Sequence, residues 1–333
     1  MSRLKIILQG SYASRNIGDR AIGHILKDQL EKRYNAECLL DGYYNIEDAK
    51  EYDILIMGGG GIVHDCYKGN LEKRLRAFGT AKYNVVMGVG APVIRFWRSG
   101  KNLEILNSAD LITVRDIQSK ILLEKYVNKE IHVTACPTFL MTTDIPTQYE
   151  EKKIRCGLNL REWITSGVAR GYSSMHKGTK NHFDRFIENV HLLLKDLQDK
   201  VDEIYFIPFH KSDLKFGKEY FKDLNIVFLP VQGIQETLDC VASMDKMISM
   251  RYHSLIYSLI VKVPSLFALD YARKTHDMVN EFNINSYNFY DSRSIIKFDF
   301  LEDSTKIRNI FDALYERANN NFMLFEKCVL DKK

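Results

Sequence analysis

An α/β fold built from two Rossmann-like domains is what this sequence predicts, and three observations carry the prediction. Short apolar runs alternate with longer amphipathic segments from one end to the other, as parallel sheets covered by helices require. The chain has 333 residues with 45% hydrophobic content, more than one core uses, since single cores stop growing near roughly 250–300 residues. Between two such alternating series falls a polar stretch with a proline, MTTDIPTQYEEKK, which reads as a linker.

The first series predicts strands at 4–8, 53–57, 84–88, 110–114 and 131–134, with apolar residues at helical spacing over 21–33 and 117–126. These elements make an N-terminal domain over 1–141, followed by a linker over 142–152. The second series predicts strands at 155–160, 203–208, 225–229, 246–250 and 265–269, and helices at 182–199, 234–243 and 253–261. It makes a C-terminal domain over 153–302, after which 303–329 is helical by pattern. In a two-Rossmann protein, a final segment 303–333 can cross back to the first domain. Two such halves place a cleft between the carboxyl ends of both sheets, where these folds bind ligands.

Charge and cysteine usage narrow the partners. Lys+Arg 47 against Asp+Glu 43 leaves +4 with no long block of one sign, which favours small anionic ligands or a membrane surface over nucleic acid. The six cysteines form no CxxC pair, so unpaired thiols in a reducing cytoplasm are expected and a structural zinc is not. The opening residues read as a first strand, with no signal peptide. The best apolar run, 254–261, is stopped by Lys262, short of the ~18 residues of a membrane span. A soluble or peripheral cytoplasmic protein is therefore expected.

Four stretches carry candidate chemistry. Between the first strand and first helix, Asn16, Gly18 and Asp19 stand where small and polar residues bring backbone N–H groups to an anion. The plain alternative is an Asp19 cap with a permissive glycine before it. Next comes Met57-Gly58-Gly59-Gly60-Gly61-Ile62-Val63-His64-Asp65. No GK[ST] follows, and Val63 stands where a dinucleotide fingerprint needs its third glycine. Val93 fails the same test after Gly88-Val89-Gly90. What remains for Gly59, Gly60, Gly61 and Asp65 is close backbone approach to a ligand or a tight turn. In the third stretch, Arg115 and Asp116 close a strand and open a helix, where Asp116 with Ser119 is either a cap or part of a ligand site.

The fourth is Ser249-Met250-Arg251-Tyr252-His253, an arginine and a histidine leaving a buried strand for the first turn of a buried helix. A lone histidine there is usually a satisfied core residue, but the neighbouring arginine points to the mouth of an anion site. Tyr271, Lys274 and His276 follow the next strand and reach the cleft or solvent. His64-Asp65-Cys66 lacks helical metal-ligand spacing. Arg95-Phe96-Trp97-Arg98 is a basic aromatic loop, either plainly exposed or touching anionic headgroups.

In order and spacing these blocks resemble the polysaccharide pyruvyltransferase family along nearly the whole chain. The resemblance rests on Asn16-Ile17-Gly18-Asp19, the four glycines with Asp65, Gly88-Val89-Gly90, Ala109-Asp110 and Val114-Arg115-Asp116 with Ser119. It continues in Ser249-Met250-Arg251 with His253, and Tyr271 with Lys274. It implies a GT-B-like fold and transfer of the pyruvyl group of phosphoenolpyruvate, as a ketal, to a sugar of a cell-surface or capsular polysaccharide precursor. Arg251 is then implied in donor binding and His253 in acid catalysis, with Arg115 or Arg161 as the facing arginine. Asn16, Gly18, Ser249 and Lys274 join the donor site, and Asp19, Gly59, Gly60, Gly61, Asp65, Asp116 and Tyr271 the cleft or acceptor site. One position departs from the family pattern: Cys136 stands where an aspartate is usual.

The implied scheme needs phosphoenolpyruvate as co-substrate, a sugar acceptor that is lipid-linked or nucleotide-linked, and neither metal nor other cofactor. For a general base the candidates are Asp19, Asp65 and Asp116. Two other readings stay open. One is a GT-B glycosyltransferase using a nucleotide sugar, which often carries two glutamates eight apart, a spacing this sequence lacks. The other is a non-catalytic anion-binding protein of the same pathway.

Overall fold

The computed structural model describes residues 3–65, 70–94, 97–143, 153–162, 180–270, 273–288 and 299–331. The chain divides into two compact units, one of residues 1–141 with 312–333 and the other of residues 142–311. Most of the predicted linker, 144–152, lies outside the described residues.

Unit 1 runs β1 (Leu4–Gln9), α1 (Ile17–Tyr34), β2 (Ala36–Asp41), β3 (Ile54–Gly58), α2 (Asn70–Leu75), β4 (Tyr83–Val89), α3 (Trp97–Asn102), β5 (Leu111–Val114), α4 (Ile117–Leu123) and β6 (His132–Val133). Its strands form one parallel sheet in the order β2-β1-β3-β4-β5-β6. Central strands such as Ile54–Gly58 are buried along their whole length, as a parallel sheet covered on both faces demands. The strand order reverses between β1 and β3, so the loops after Gln9 and Gly58 open side by side at the carboxyl edge.

Unit 2 runs β7 (Arg155–Asn159), α5 (Lys180–Gln198), β8 (Glu203–Phe206), α6 (Lys211–Phe221), β9 (Val227–Phe228), α7 (Ile234–Ala242), β10 (Lys246–Ser249), α8 (Tyr252–Ile260), β11 (Ser265–Asp270), α9 (Arg273–Phe282) and β12 (Ser286–Asn288). The sheet is again parallel, ordered β12-β11-β10-β7-β8-β9. Here the order reverses between β7 and β10, the place where open α/β sheets take their ligands. Aromatic packing fills the core on one face, with Phe183, Phe186, Phe206, Phe216 and Phe221 all buried.

The last helix, α10 (Ser304–Phe325), begins in unit 2 and ends in unit 1. Within unit 1 it is fastened by Asn321, which is fully buried. The Asn321 Oδ1 accepts from Thr113 Oγ1 at 2.5 Å and Thr134 Oγ1 at 2.8 Å, while its amide donates to the Ala135 carbonyl at 3.1 Å.

Three local readings change. The cap of α1 is Asn16, whose side chain accepts from Gly18 N, whereas Asp19 lies inside the first turn and takes the Ser14 hydroxyl. An asparagine oxygen two residues before a helical N–H satisfies the orphan donor better placed than one already in the helix. Residues 97–102 start a short helix where the sequence reads as a loop; Arg95 and Phe96 lie outside the described residues. The sequence reading also passed over β2 and α6. Strand β2, AECLLD, alternates buried and exposed positions at a sheet edge. Helix α6, KSDLKFGKEYF, reads as solvated because its charges mask one buried stripe.

Candidate functional site

In unit 2 the site grows from the ends of β7 and β10. Asn159 and Ser249 are register partners, on strands roughly 4.8 Å apart. Arg161 and Arg251 each stand two residues further on, at the carboxyl edge. Asn159 is fully buried and ties three strand ends together. Its Oδ1 accepts from the Arg251 backbone N–H at 3.0 Å and its Nδ2 donates to the Ile207 carbonyl at 2.9 Å. The Arg161 N–H points at Met250 Sδ, 3.3 Å away, and its Nε donates to the Glu162 carbonyl.

Arg251 caps α8 with extended backbone, φ −76° and ψ 142°. Its guanidinium pairs in two-point fashion with Asp213 in the first turn of α6: Nε donates to Oδ2 at 2.6 Å, and Nη2 to Oδ1. Asp213 is 0% exposed and also accepts the Phe209 N–H at 3.1 Å. His253, two residues into α8, is 4% exposed and meets the Tyr252 ring edge-on at 5.6 Å. The Lys274 Nζ lies 5.8 Å from the same Tyr252 ring. The Ser249 hydroxyl is engaged with Ser254 and Ser258, at 3.0 and 3.1 Å, locking strand to helix. Tyr271 lies outside the described residues.

Beside this edge β11 ends in Asp270, 1% exposed, whose Oδ2 accepts from His276 Nδ1 at 2.5 Å. Asn280 in turn donates to His276 Nε2 at 2.8 Å, which fits the Nδ1–H tautomer. Burial pushes the Asp270 carboxyl up to about 6, against the pull of His276.

Unit 1 has its own assembly. The glycine loop after β3 places Gly59 and Gly60 at φ 60° and 74°, a region that only glycine enters freely. The Gly90 N–H bonds the Gly60 carbonyl at 2.7 Å, joining the two glycine loops. A methyl group on Gly90 would stand 2.7 Å from Arg115 Nε, and one on Gly61 3.4 Å from its Nη2. Glycine is thus what leaves room for the buried Arg115 guanidinium. Asp116 lies 3.5 Å from Arg115 Nε and caps α4 through the Ser119 N–H at 2.7 Å. The Ser119 hydroxyl accepts from Ala91 N. Cys136 is fully buried; burial pushes its thiol up, with the charge of Arg115 opposing. Asp65 is buried at the end of the glycine loop.

The two facing-arginine candidates therefore part company: Arg161 shares a sheet edge with Arg251 and His253, and Arg115 belongs to unit 1. Two functional-looking residues escaped the sequence reading. Asn159 falls there only inside the predicted strand 155–160, next but one to Arg161. Asp213 carries no local signal, since its partner is 38 residues away.

The model of the polysaccharide pyruvyl transferase family matches residues 16–273. The chain belongs to that family. As a polysaccharide pyruvyl transferase it is an enzyme, a transferase. Solved structures share its fold at low identity. S. aureus MnaA, in a co-structure with UDP, is 12% identical with TM-score 0.57, covering 98% of each chain. The Methanocaldococcus jannaschii UDP-GlcNAc 2-epimerase, in complex with UDP-GlcNAc and UDP, is 12% identical with TM-score 0.56 over 98% of this chain and 100% of its own. The Neisseria meningitidis UDP-GlcNAc 2-epimerase bound to UDP-GlcNAc is 11% identical with TM-score 0.55 over 99% and 100%. With the two parallel sheets, these place this pyruvyl transferase in the two-domain, Rossmann-like GT-B class. No curated protein sequence matches it. None of its described helices is long and apolar enough to cross a membrane.

Proposed function

We propose that the chain transfers the pyruvyl group of phosphoenolpyruvate to a sugar of a polysaccharide precursor, forming a cyclic ketal, with the donor taken at the carboxyl edge of unit 2. The observation that carries this reading is the placement of Arg161, Arg251 and the nearly buried His253 at the β7/β10 reversal of one parallel sheet. Phosphoenolpyruvate presents a carboxylate and a phosphate, and guanidinium groups bind such oxygens in pairs. The first turn of α8 adds backbone N–H groups to the same edge. Lys274 supplies a further positive charge beside Tyr252.

In the chemistry, His253 gives a proton to the donor's methylene carbon, and the central carbon becomes cationic. One sugar hydroxyl adds there and loses its proton to a base, phosphate leaves as its C–O bond breaks, and a second hydroxyl closes the ring, its proton passing to the departing phosphate, while the first proton replaces, by way of solvent, the one His253 gave. A positioned general acid contributes ~10²–10⁴-fold. A helix N-terminus opposes an imidazolium, while the charge of Arg251 is paired by Asp213; the bound donor's negative charge favours the protonated ring, so His253 acts once the donor is seated. The base that receives the hydroxyl proton is one of Asp19, Asp65 and Asp116, all in unit 1. Of the other unit 1 residues, Asn16, Gly18 and Arg115 are assigned in this scheme to donor binding and the Gly59–Gly61 loop to the cleft or acceptor. The arginines supply the positive charge, so no metal is called for, and turnover is expected to survive a chelator.

The acceptor proposed is lipid-linked, on the basic aromatic segment around Trp97, with the enzyme working in the cytoplasm against the membrane's inner face. Vesicles with anionic lipid should bind the wild type and release an Arg95/Trp97/Arg98 triple alanine variant; equal binding overturns the membrane contact. The donor reading is tested by phosphate release. It should occur from phosphoenolpyruvate only with a sugar acceptor present, and should drop ~10²-fold or more in His253→Ala. Near-normal turnover in that variant contradicts the acid assignment.

A further inference from the structure

We infer that Asp213 is a positioning residue, which aims the Arg251 guanidinium at the donor; the inference rests on the donor reading above. Its carboxylate is 0% exposed, and both of its oxygens meet Arg251, at Nε and at Nη2. The carboxylate is itself held from behind by the Phe209 N–H, while the Arg251 backbone is held by Asn159. Guanidinium plane and backbone are thus fixed from two different strand ends, those of β8 and β7.

Stability alone gives no reason for this pair. Buried ion pairs cost about as much to desolvate as they return, and apolar residues of similar volume often do as well. Phe209, whose N–H meets Asp213, is fully buried and packs its ring on the buried Tyr257 ring at 5.1 Å. A charge pair set in such surroundings does something that apolar packing does not: it orients a fork. With Nε and Nη2 on Asp213, the guanidinium meets a donor oxyanion in the plane that the carboxylate dictates. Holding a charged group in a productive geometry through a buried neighbour is the role such outer partners play around other ligating groups.

The test is calorimetric binding of phosphoenolpyruvate to the full chain, with melting temperature measured for every variant. Asp213→Asn, if folded, should weaken binding by roughly 10–100-fold, the range seen for outer partners of ligating side chains. Asp213→Glu, which keeps the charge at a longer reach, should recover part of it. In Arg251→Lys, which keeps charge but has no fork, adding Asp213→Asn should cost little more, because the two residues act as one unit. A purely structural Asp213 would instead lower the melting temperature and weaken binding equally in both backgrounds, which overturns the inference. Wild-type affinity in Asp213→Asn overturns it as well and leaves the donor reading standing. A wild type that binds no phosphoenolpyruvate overturns the donor reading and this inference together.

Discussion

Proton traffic at single residues gives the sharpest expectations. His253 stands in the first turn of a helix, two residues from a guanidinium whose charge Asp213 pairs, and a donor anion seated there favours the imidazolium. An NMR titration should therefore show more imidazolium at His253 with phosphoenolpyruvate than without it; no upward shift on donor binding contradicts its role as acid. Asp270 carries a second pH signature. Burial raises its carboxyl from 3.8 to about 6, so between those values the folded chain keeps a proton that the unfolded chain has lost. Stability from this group is complete below the lower value and is lost as pH rises through the upper, by up to ~3 kcal/mol. Asp270→Asn should flatten that slope in denaturant melts across this window. At this scale Arg251 and His253 were legible, because strand, cap and helix are consecutive in the chain. Asp213 and the Asp270–His276–Asn280 chain were not, since a carboxylate on an amphipathic helix looks solvated until its distant partner is seen.

Elements tell where the chain spends its polar groups. Asn321 on α10 satisfies two buried threonine hydroxyls and one carbonyl at the ends of β5 and β6. Asn321→Ala would take the acceptor from the Thr113 hydroxyl and the side-chain donor from the Ala135 carbonyl, while the Thr134 hydroxyl keeps the Val114 carbonyl at 3.1 Å; with each buried orphan costing ~1–3 kcal/mol, unit 1 should lose about 3 kcal/mol in a denaturant melt. The two glycine loops make a different kind of demand. Gly90→Ala drives a methyl group into Arg115 Nε, and the expected result is a folded protein with reduced transfer, checked by circular dichroism beside an activity assay. Strands such as Ile54–Gly58 and helices such as Lys180–Gln198 were legible from apolar runs and helical spacing. Strand β2 and helix α6 were not: an edge strand with one solvated face, and a charged helix with a narrow buried stripe, both resemble loop in single-sequence reading. The cap at Asn16 was misread as Asp19 because either residue type serves, and only backbone geometry chooses between them.

At the scale of the whole molecule, two parallel sheets each reverse their strand order once, and each reversal has an arginine-bearing loop system at its carboxyl edge or next to it. The alternation of apolar runs made both sheets legible, but strand order did not follow from it, since reversal depends on which crossover each helix makes. Family membership, read from the order of short blocks, is supported by a match over residues 16–273. The fold likeness to UDP-binding epimerases at 11–12% identity speaks to architecture alone. With positive charge supplied by arginines, transfer should be unchanged by a divalent-metal chelator, measured as phosphate release with and without it; loss of activity would call for a metal that the scheme lacks. The most direct test of the central claim is the mass of the product formed from phosphoenolpyruvate and a panel of lipid-linked and nucleotide-linked sugars. The account predicts an acceptor heavier by one pyruvic acid less one water, with one phosphate released for each ketal formed. An acceptor heavier by a sugar, or no mass change with any acceptor while phosphoenolpyruvate stays intact, would contradict it.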